Sequence, residues 1–128
     1  MKQTYILTED KISLFCPEPW NNSWAIIASV SNGCGPAGWK IDVVPDSILG
    51  CYIGESCRIH DVQYEVGETI EDKDSGDRTF RNNMIRLIKG RTTNWFAKVF
   101  LLKARLRLAQ KYYEFVVNFG GPAFWKDK

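Results

Sequence analysis

A single histidine and its neighbours form the part of this sequence best suited to chemistry. The run CRIHDVQY, residues 57–64, contains His60, the only histidine among 128 residues. On a helix, His60 and Tyr64 would share one face, with Cys57 one turn earlier on the same side. Asp61 would point about 100° away from His60. The spacing therefore predicts an imidazole that faces a groove and a carboxylate that faces a neighbouring loop.

Asp77 is the residue expected to partner this histidine. It shares a predicted helical face with Phe80 and Met84, the face that should turn inward. A buried carboxylate needs hydrogen-bond donors. The ring N–H of His60 or the phenol O–H of Tyr64 can supply them, which also fixes the imidazole tautomer. Two antiparallel helices joined by a short polar connection would bring these groups together.

Asp77 and His60 also have purely structural interpretations. An acidic residue in the first turn of a helix suits the helix dipole, and Arg81 could pair with Asp77 from four residues later. A lone helical histidine such as His60 is more often structural than catalytic. Catalysis is favoured only when these residues are taken together with a glycine-rich segment upstream.

That upstream segment, NGCGPAGW at residues 32–39, has the composition of a shaped loop. Gly33, Gly35 and Gly38, together with Pro36, exclude regular secondary structure there. One interpretation is a simple tight turn. The other is a loop whose shaped backbone has a binding role.

These motifs together resemble the secretory phospholipase A2 superfamily. CRIHDVQY is similar to its C-x-x-H-D-x-x-Y active-site helix, and NGCGPAGW is similar to its glycine-rich calcium loop. GDRTF, residues 76–80, is similar to the D-x-x-F start of its second catalytic helix. The short spacing resembles that of the bacterial, fungal and parvovirus-type members. The resemblance covers residues 32–90, and the chain on either side lies outside it.

The resemblance implies a lipid-degrading carboxylic ester hydrolase that releases the sn-2 fatty acid of glycerophospholipids. It gives His60 the role of a base that activates water, with Asp77 orienting this histidine. Tyr64 would donate a hydrogen bond to Asp77. Because no nucleophilic serine takes part, such an enzyme also needs a positive centre for the developing oxyanion.

Ca2+ is the cofactor that the resemblance implies. Asp61 would supply a carboxylate ligand. The metal-binding cage would be completed by main-chain carbonyls near Gly33, Gly35 and Gly38. The bound ion would hold the lipid phosphate and polarise the ester carbonyl.

Three departures from the family pattern are present. The loop is not the animal-type Y-x-C-x-G-x-G-G, and a long segment follows it before the histidine. Asp42 or Asp46 could therefore replace one of the loop ligands. Gln63 stands where many animal members have a cysteine. None of these departures affects His60.

The sequence as a whole predicts a mainly α-helical fold in one domain, residues 1–128, and the resemblance implies that this fold is phospholipase A2-like. A small N-terminal β-hairpin is expected around the polar turn Thr8–Lys11. The short apolar run WAIIASVS, residues 24–31, suits either a strand or a buried helix turn. Two antiparallel catalytic helices and a long C-terminal helix follow from periodicity and caps. The first helix is expected from Glu55 to Val66. A polar run, residues 68–77, then makes a connection, and Asp74 or Ser75 within it can cap a second helix that runs to about Lys89. Thr93 can cap the third helix, from Asn94 to about Asn118.

Charge is distributed unevenly along the chain. Residues 1–77 contain 5 basic and 13 acidic side chains, whereas residues 78–128 contain 12 basic and 2 acidic ones. An acidic half suits a hard cation, and a basic half suits an anionic partner, here a phospholipid membrane surface. Lys98 and Lys103 interrupt the most apolar stretch, so no transmembrane segment is predicted. With no recognisable signal peptide, the expectation is a soluble protein, with secreted and phage- or virion-associated settings left open.

The main alternative is a catalytically inactive module of the same fold. Its basic C-terminal half would bind anionic membrane or, less favoured, nucleic acid. The aromatic residues of the long helix are expected mostly in the core. Trp39, next to the glycine-rich loop, is a candidate membrane anchor or a buried side chain.

The four cysteines leave further alternatives open. Cys16, Cys34, Cys51 and Cys57 allow three pairings or none. The family resemblance implies a bridge between Cys34 and Cys57, and buried thiols are the other interpretation. A zinc site built from two cysteines and His60, or a Cys57–His60 nucleophile pair, is less favoured.

Overall fold

The computed structural model describes residues 2–31, 45–126 and 128 of the chain. This part of the molecule is mainly helical, with six α-helices and two short antiparallel strand pairs. Within it, no helix has the length and apolar character needed to cross a membrane. The expected helical class is confirmed at this level.

The N-terminal hairpin is confirmed in the expected place. Strands β1 (Gln3–Leu7) and β2 (Ser13–Pro17) pair antiparallel. The Thr8 hydroxyl closes the connection, because it accepts from the Ile12 N–H at 2.9 Å and donates to Asp10 at 2.6 Å. A polar turn between two apolar runs was therefore a sufficient signal for this element.

Of the two interpretations of residues 24–31, the strand is wrong and the helical one is confirmed, since this segment forms helix α1 (Trp24–Val30). Ser23 caps the helix by accepting from the Ala25 N–H at 3.1 Å. Ile27 is buried in the core, and the Trp24 indole donates to the Leu7 carbonyl at 2.8 Å. The cap and the packing of one apolar face outweigh the β propensity of the segment.

A second, smaller hairpin precedes the predicted catalytic helices. Strands β3 (Ser47–Ile48) and β4 (Cys51–Tyr52) are joined through Leu49 and Gly50, which have φ angles of 46° and 80°. Positive φ at two consecutive positions is the geometry of a tight two-residue turn. The buried Arg105 side chain donates to the Leu49 carbonyl at 2.7 Å and so ties this turn to the helical body.

Two long antiparallel helices follow, α2 (Gly54–Val66) and α3 (Ile70–Arg91). The end of α2 at Gly67 is as predicted. However, α3 begins earlier than expected, because Thr69 and Asp72 form a reciprocal capping box. The predicted polar connection is therefore mostly helix, and Asp77 lies about two turns into α3 rather than in its first turn.

Arg91 ties the opposite end of this helix pair. Its guanidinium binds the Glu55 carboxylate at 2.6 Å and the Asp10 carboxylate at 2.9 Å, and it donates to the Tyr52 carbonyl at 2.8 Å. The end of α3 is thus joined to the start of α2 and to the N-terminal hairpin. The guanidinium of Arg91 holds the pKa of Asp10 well below its usual value.

The predicted long C-terminal helix is divided. Helix α4 (Trp95–Phe100) ends at Leu101, and α5 (Leu102–Phe119) and α6 (Gly121–Phe124) follow. Asn94, not Thr93, caps α4 by accepting from the Ala97 N–H at 2.7 Å. The break allows α5 to pack along α3 while α4 stays at the periphery.

The core lies between α2, α3, α5 and β2. Its largest fully buried apolar side chains include Leu14, Ile59, Phe80, Met84 and Leu87. The expectation that the C-terminal aromatics are mostly core is wrong for Trp95, Phe96 and Phe100, which are exposed. Tyr112, Tyr113 and Phe115 do pack against the core.

Asn83 of α3 docks the helix pair on the hairpin. Its side chain is fully buried and makes two hydrogen bonds to Phe15 of β2, accepting from the N–H at 2.8 Å and donating to the carbonyl at 2.9 Å. These two bonds satisfy the main chain of Phe15 on the edge of β2 that does not face β1. The main chain of Phe15 is therefore not available to pair with another strand.

We expect Asn83→Leu to lower the free energy of unfolding by about 2–3 kcal/mol, because it leaves the N–H and carbonyl of Phe15 without partners. Urea denaturation followed by far-UV circular dichroism measures the change. Asn82→Leu is the matched control, since the neighbouring Asn82 is exposed. Equal stability of the two variants would contradict this role for Asn83.

Candidate functional site

Three donors converge on the carboxylate of Asp77. His60 Nε2 lies 2.8 Å from Oδ1, the Tyr64 hydroxyl donates to the same oxygen at 2.7 Å, and Lys73 Nζ binds Oδ2 at 2.8 Å. The Asp77 side chain is fully buried, and the other three residues are also buried. The structure thus brings together the three residues that the sequence placed in the site and adds Lys73.

The side chains reach each other because α2 and α3 run antiparallel. His60 and Tyr64 lie one turn apart on α2 and face the same side of α3. The His60 ring stacks on Phe80, with centroids 4.6 Å apart and planes at 25°. The ring of Tyr64 is 4.2 Å from the His60 ring. The imidazole is therefore fixed by two rings as well as by the carboxylate.

The direction of the hydrogen bond between His60 and Asp77 follows from its chemistry. An ionised carboxylate can only accept, so His60 Nε2 carries the hydrogen and Nδ1 of the neutral ring has the lone pair. In the described part of the chain, Nδ1 has no hydrogen-bond partner. This is the arrangement needed for a base that takes a proton at Nδ1.

Lys73 is the site residue that sequence reasoning missed. Its ammonium binds Asp77 and also donates to the main-chain carbonyls of Val116 at 3.0 Å and Val117 at 3.4 Å, near the end of α5. The available signal was its position four residues before Asp77 on a helix. The alternative partner considered for Asp77, Arg81, instead lies 4.7 Å from the centre of the Tyr113 ring.

The surroundings of the site keep the Asp77 carboxylate charged and the Tyr64 phenol neutral. Burial alone would raise the pKa of Asp77, but its contacts with His60, Lys73 and Tyr64 hold the pKa below its usual value. For Tyr64, burial and the adjacent negative charge of Asp77 raise the pKa far above its usual range. Tyr64 thus remains a hydrogen-bond donor, and Asp77 remains an acceptor.

The predicted metal ligands are only partly within the described structure. Asp61 on α2 accepts a hydrogen bond from the Ser31 hydroxyl at 3.2 Å, and Ser31 directly precedes residue 32, where the glycine-rich segment begins. The expected carbonyl ligands near Gly33, Gly35 and Gly38 lie outside the described residues, as do Asp42, Trp39 and Cys34. Asp61 is thus next to the start of the predicted loop.

The state of Cys57 excludes the zinc site and the cysteine nucleophile that the sequence left open. Cys57 is disulfide-bonded, whereas Cys16 and Cys51 are buried free thiols. A disulfide sulfur is neither a zinc thiolate nor a nucleophile, so both alternatives that use Cys57 are wrong. Among the described residues, no cluster of three or more His, Cys, Asp or Glu side chains could hold a metal ion. Burial raises the pKa of Cys16 to about 12, which leaves this thiol unreactive.

Gln63 is an unusual neighbour of the site. It lies on α2 between His60 and Tyr64 in sequence order and is fully buried, yet neither its amide nitrogen nor its amide oxygen has a hydrogen-bond partner. It packs against Gly76 of α3, where an added Cβ would come within 3.3 Å of the Gln63 Cβ. An unpaired buried amide is destabilising.

We expect Gln63→Met to raise the free energy of unfolding by about 1–2 kcal/mol, since methionine keeps the side-chain length and removes the unpaired amide. Thermal and urea unfolding of the purified variant measure this. Gln110→Met is the control, because Gln110 is exposed on α5. Destabilisation by Gln63→Met would show that the buried amide is satisfied.

Stability should also depend on pH through Asp77. The folded-state pKa of Asp77 lies below the unfolded value of 3.8, so its contribution is complete above that value and is lost as the pH falls through the folded pKa. We expect Asp77→Asn to lower stability at pH 6 and to reduce the loss of stability between pH 6 and pH 3. Urea unfolding across this range measures both effects. The exposed Asp74→Asn should leave the pH dependence unchanged.

The chain was also compared with known proteins. Comparisons with protein-family models, with curated proteins and with solved structures found no match. The positions and contacts of its own side chains are therefore the basis for a functional conclusion.

Proposed function

We propose that this protein is a calcium-dependent phospholipase A2-like hydrolase that cleaves the sn-2 ester of glycerophospholipids. One observation carries the proposal: a buried, ionised carboxylate holds one ring nitrogen of His60 and leaves the other available as a base. The resemblance of the sequence around this group to the secretory phospholipase A2 superfamily supplies the substrate class.

In the proposed reaction His60 takes up one proton from water and later gives it to the leaving group. Nδ1 takes a proton from a water molecule while the water oxygen attacks the ester carbonyl carbon. The imidazolium that forms is stabilised by the Asp77 carboxylate 2.8 Å from Nε2. The same proton then passes to the leaving alcohol oxygen as the ester bond breaks. The fatty acid and the lysophospholipid are released, and His60 returns to its neutral form.

Tyr64 and Lys73 act as positioning residues in this scheme. Each holds Asp77 in place, Tyr64 through Oδ1 and Lys73 through Oδ2. With both carboxylate oxygens occupied, the acid cannot rotate away from His60 without losing a buried hydrogen bond. The positive charge of Lys73 also compensates the buried negative charge of Asp77.

The residues near the site fit a hard cation. Asp61 provides a carboxylate next to the start of the glycine-rich segment, and carboxylates combined with main-chain carbonyls are the ligands that calcium prefers. We assign Asp61 and the carbonyls near Gly33, Gly35 and Gly38 to this ion. When bound, calcium would supply positive charge for the ester carbonyl oxygen and the lipid phosphate.

The direct test is fatty acid release from phospholipid vesicles with calcium, with a chelator and with His60→Ala. We expect both the chelator and the substitution to lower kcat/KM at least about 100-fold, because the base or the oxyanion charge is lost. Arg81→Ala, outside the site, should retain activity. Calcium-independent release, or full activity of His60→Ala, would contradict the mechanism. No release by the folded wild-type protein would favour the inactive module.

The role of Lys73 is tested by the same assay and by the tautomer of the His60 ring. Lys73→Met should lower kcat by about tenfold with little change in KM, because the base is less well oriented while lipid binding is unaffected. Nitrogen-15 NMR of His60 should show one ring tautomer in the wild type and a mixture in Lys73→Met, with Lys73→Arg closer to the wild type. An unchanged tautomer and an unchanged kcat would remove Lys73 from the scheme.

A further inference from the structure

Helix α4 presents an unusual amount of apolar surface. Trp95, Phe96, Val99 and Phe100 are 74%, 58%, 56% and 60% exposed, respectively, although the helix has only six residues. Contiguous exposed apolar surface on a folded protein commonly marks a binding site. The side chains of α4 are therefore candidates for contact with a partner.

The four apolar side chains form one surface. At 3.6 residues per turn they fall within about 140° of the helix circumference. Phe100 contacts both other rings, with centroids 4.8 Å from Phe96 and 6.4 Å from Trp95. Ala97 points away from this surface and is the buried residue of α4. We call Trp95, Phe96, Val99 and Phe100 the α4 surface.

The charged residues near α4 in the sequence are all basic. Residues 78–113 contain ten Lys and Arg side chains and no Asp or Glu. Two of these cations adjoin the α4 surface in sequence, and both are exposed: Lys98 within α4 and Lys103 in the first turn of α5. Neither forms a salt bridge within the described residues. A partner of negative charge is thus favoured.

We propose that the α4 surface docks the protein on an anionic lipid bilayer, with the four apolar side chains entering the interface and Lys98 and Lys103 contacting lipid headgroups. Aromatic side chains flanked by lysines suit this boundary, where one side is apolar and the other charged. Anionic headgroups attract nearby Lys and Arg side chains.

Two other partners fit the observations less well. A second copy of this chain, paired through the same surface, would bring two sets of cations together with no acidic side chain from this segment to compensate them. Nucleic acid would match the charge and could stack on the rings, but it would make no favourable contact with Val99. A bilayer accommodates both the apolar and the cationic side chains.

The inference rests on the proposed function in taking lipid aggregates as the substrate, but docking requires no hydrolysis. The α4 surface follows the end of α3 that lies about 21 Å along the helix from Asp77, so substitutions there leave the site contacts intact. Binding can therefore be measured on a protein that cannot hydrolyse lipid.

The experiment is vesicle flotation of the His60→Ala protein in the presence of a chelator. Vesicles contain phosphatidylcholine alone or mixed with phosphatidylserine. We expect binding to the mixed vesicles that falls as salt increases. Phe96→Ser combined with Phe100→Ser should lower the partition coefficient at least about tenfold. Lys98→Gln and Lys103→Gln should each lower it about fivefold, for the anionic vesicles only.

The matched control is Phe119→Ser, because Phe119 is 64% exposed but lies at the other end of α5. It should bind as the parent does. Equal binding by the Phe96/Phe100 variant, or absence of binding to anionic vesicles, would overturn the proposal. Dimers that dissociate in the same variant, detected by light scattering, or salt-sensitive binding of single-stranded DNA in place of vesicles, would assign the surface to another partner. Docking without hydrolysis by the wild type would reject only the proposed hydrolase.

Discussion

The buried carboxylate of Asp77 is the constraint on which the site and the helix arrangement depend. A charge removed from water needs donors close to both oxygens, because an unpaired buried ion is strongly destabilising. His60 and Tyr64 supply two donors from α2, and Lys73 supplies the third from α3 itself. The spacing and register of α2 and α3 are thus fixed at this point by electrostatics as well as by apolar packing.

Lys73 extends this constraint to a third helix. Its ammonium also binds the carbonyls of Val116 and Val117 close to the end of α5, where the Val116 carbonyl also accepts from the Gly120 N–H at 2.9 Å. One buried ion pair therefore connects the polar site to the C-terminal part of the molecule. At the opposite end of α3, Arg91 makes a comparable set of contacts to Glu55 and Asp10. Two cations thus anchor the two ends of the central helix.

Several features could be read from local sequence because their causes are local. The polar turn of the N-terminal hairpin, the glycine that ends α2 and the one-turn spacing of His60 and Tyr64 depend on residues a few positions apart. The segment 24–31 was left open between strand and helix, and the start of α3 was placed too late, for related reasons. Ser23 and the Thr69–Asp72 capping box are local signals too, but β-branched composition and a run of polar residues suggested otherwise.

By itself, the sequence determined that the chain is mainly helical and that His60 and Asp77 lie on inward helical faces. It could do so because helical periodicity fixes which residues share a face. Only the tertiary structure decided that Lys73, and not Arg81, pairs with Asp77, since both lie one turn away and burial selects between them. It likewise decided that the aromatic residues of α4 face outward. Periodicity states that a helix has an apolar face, but packing decides whether the protein core or another partner covers it.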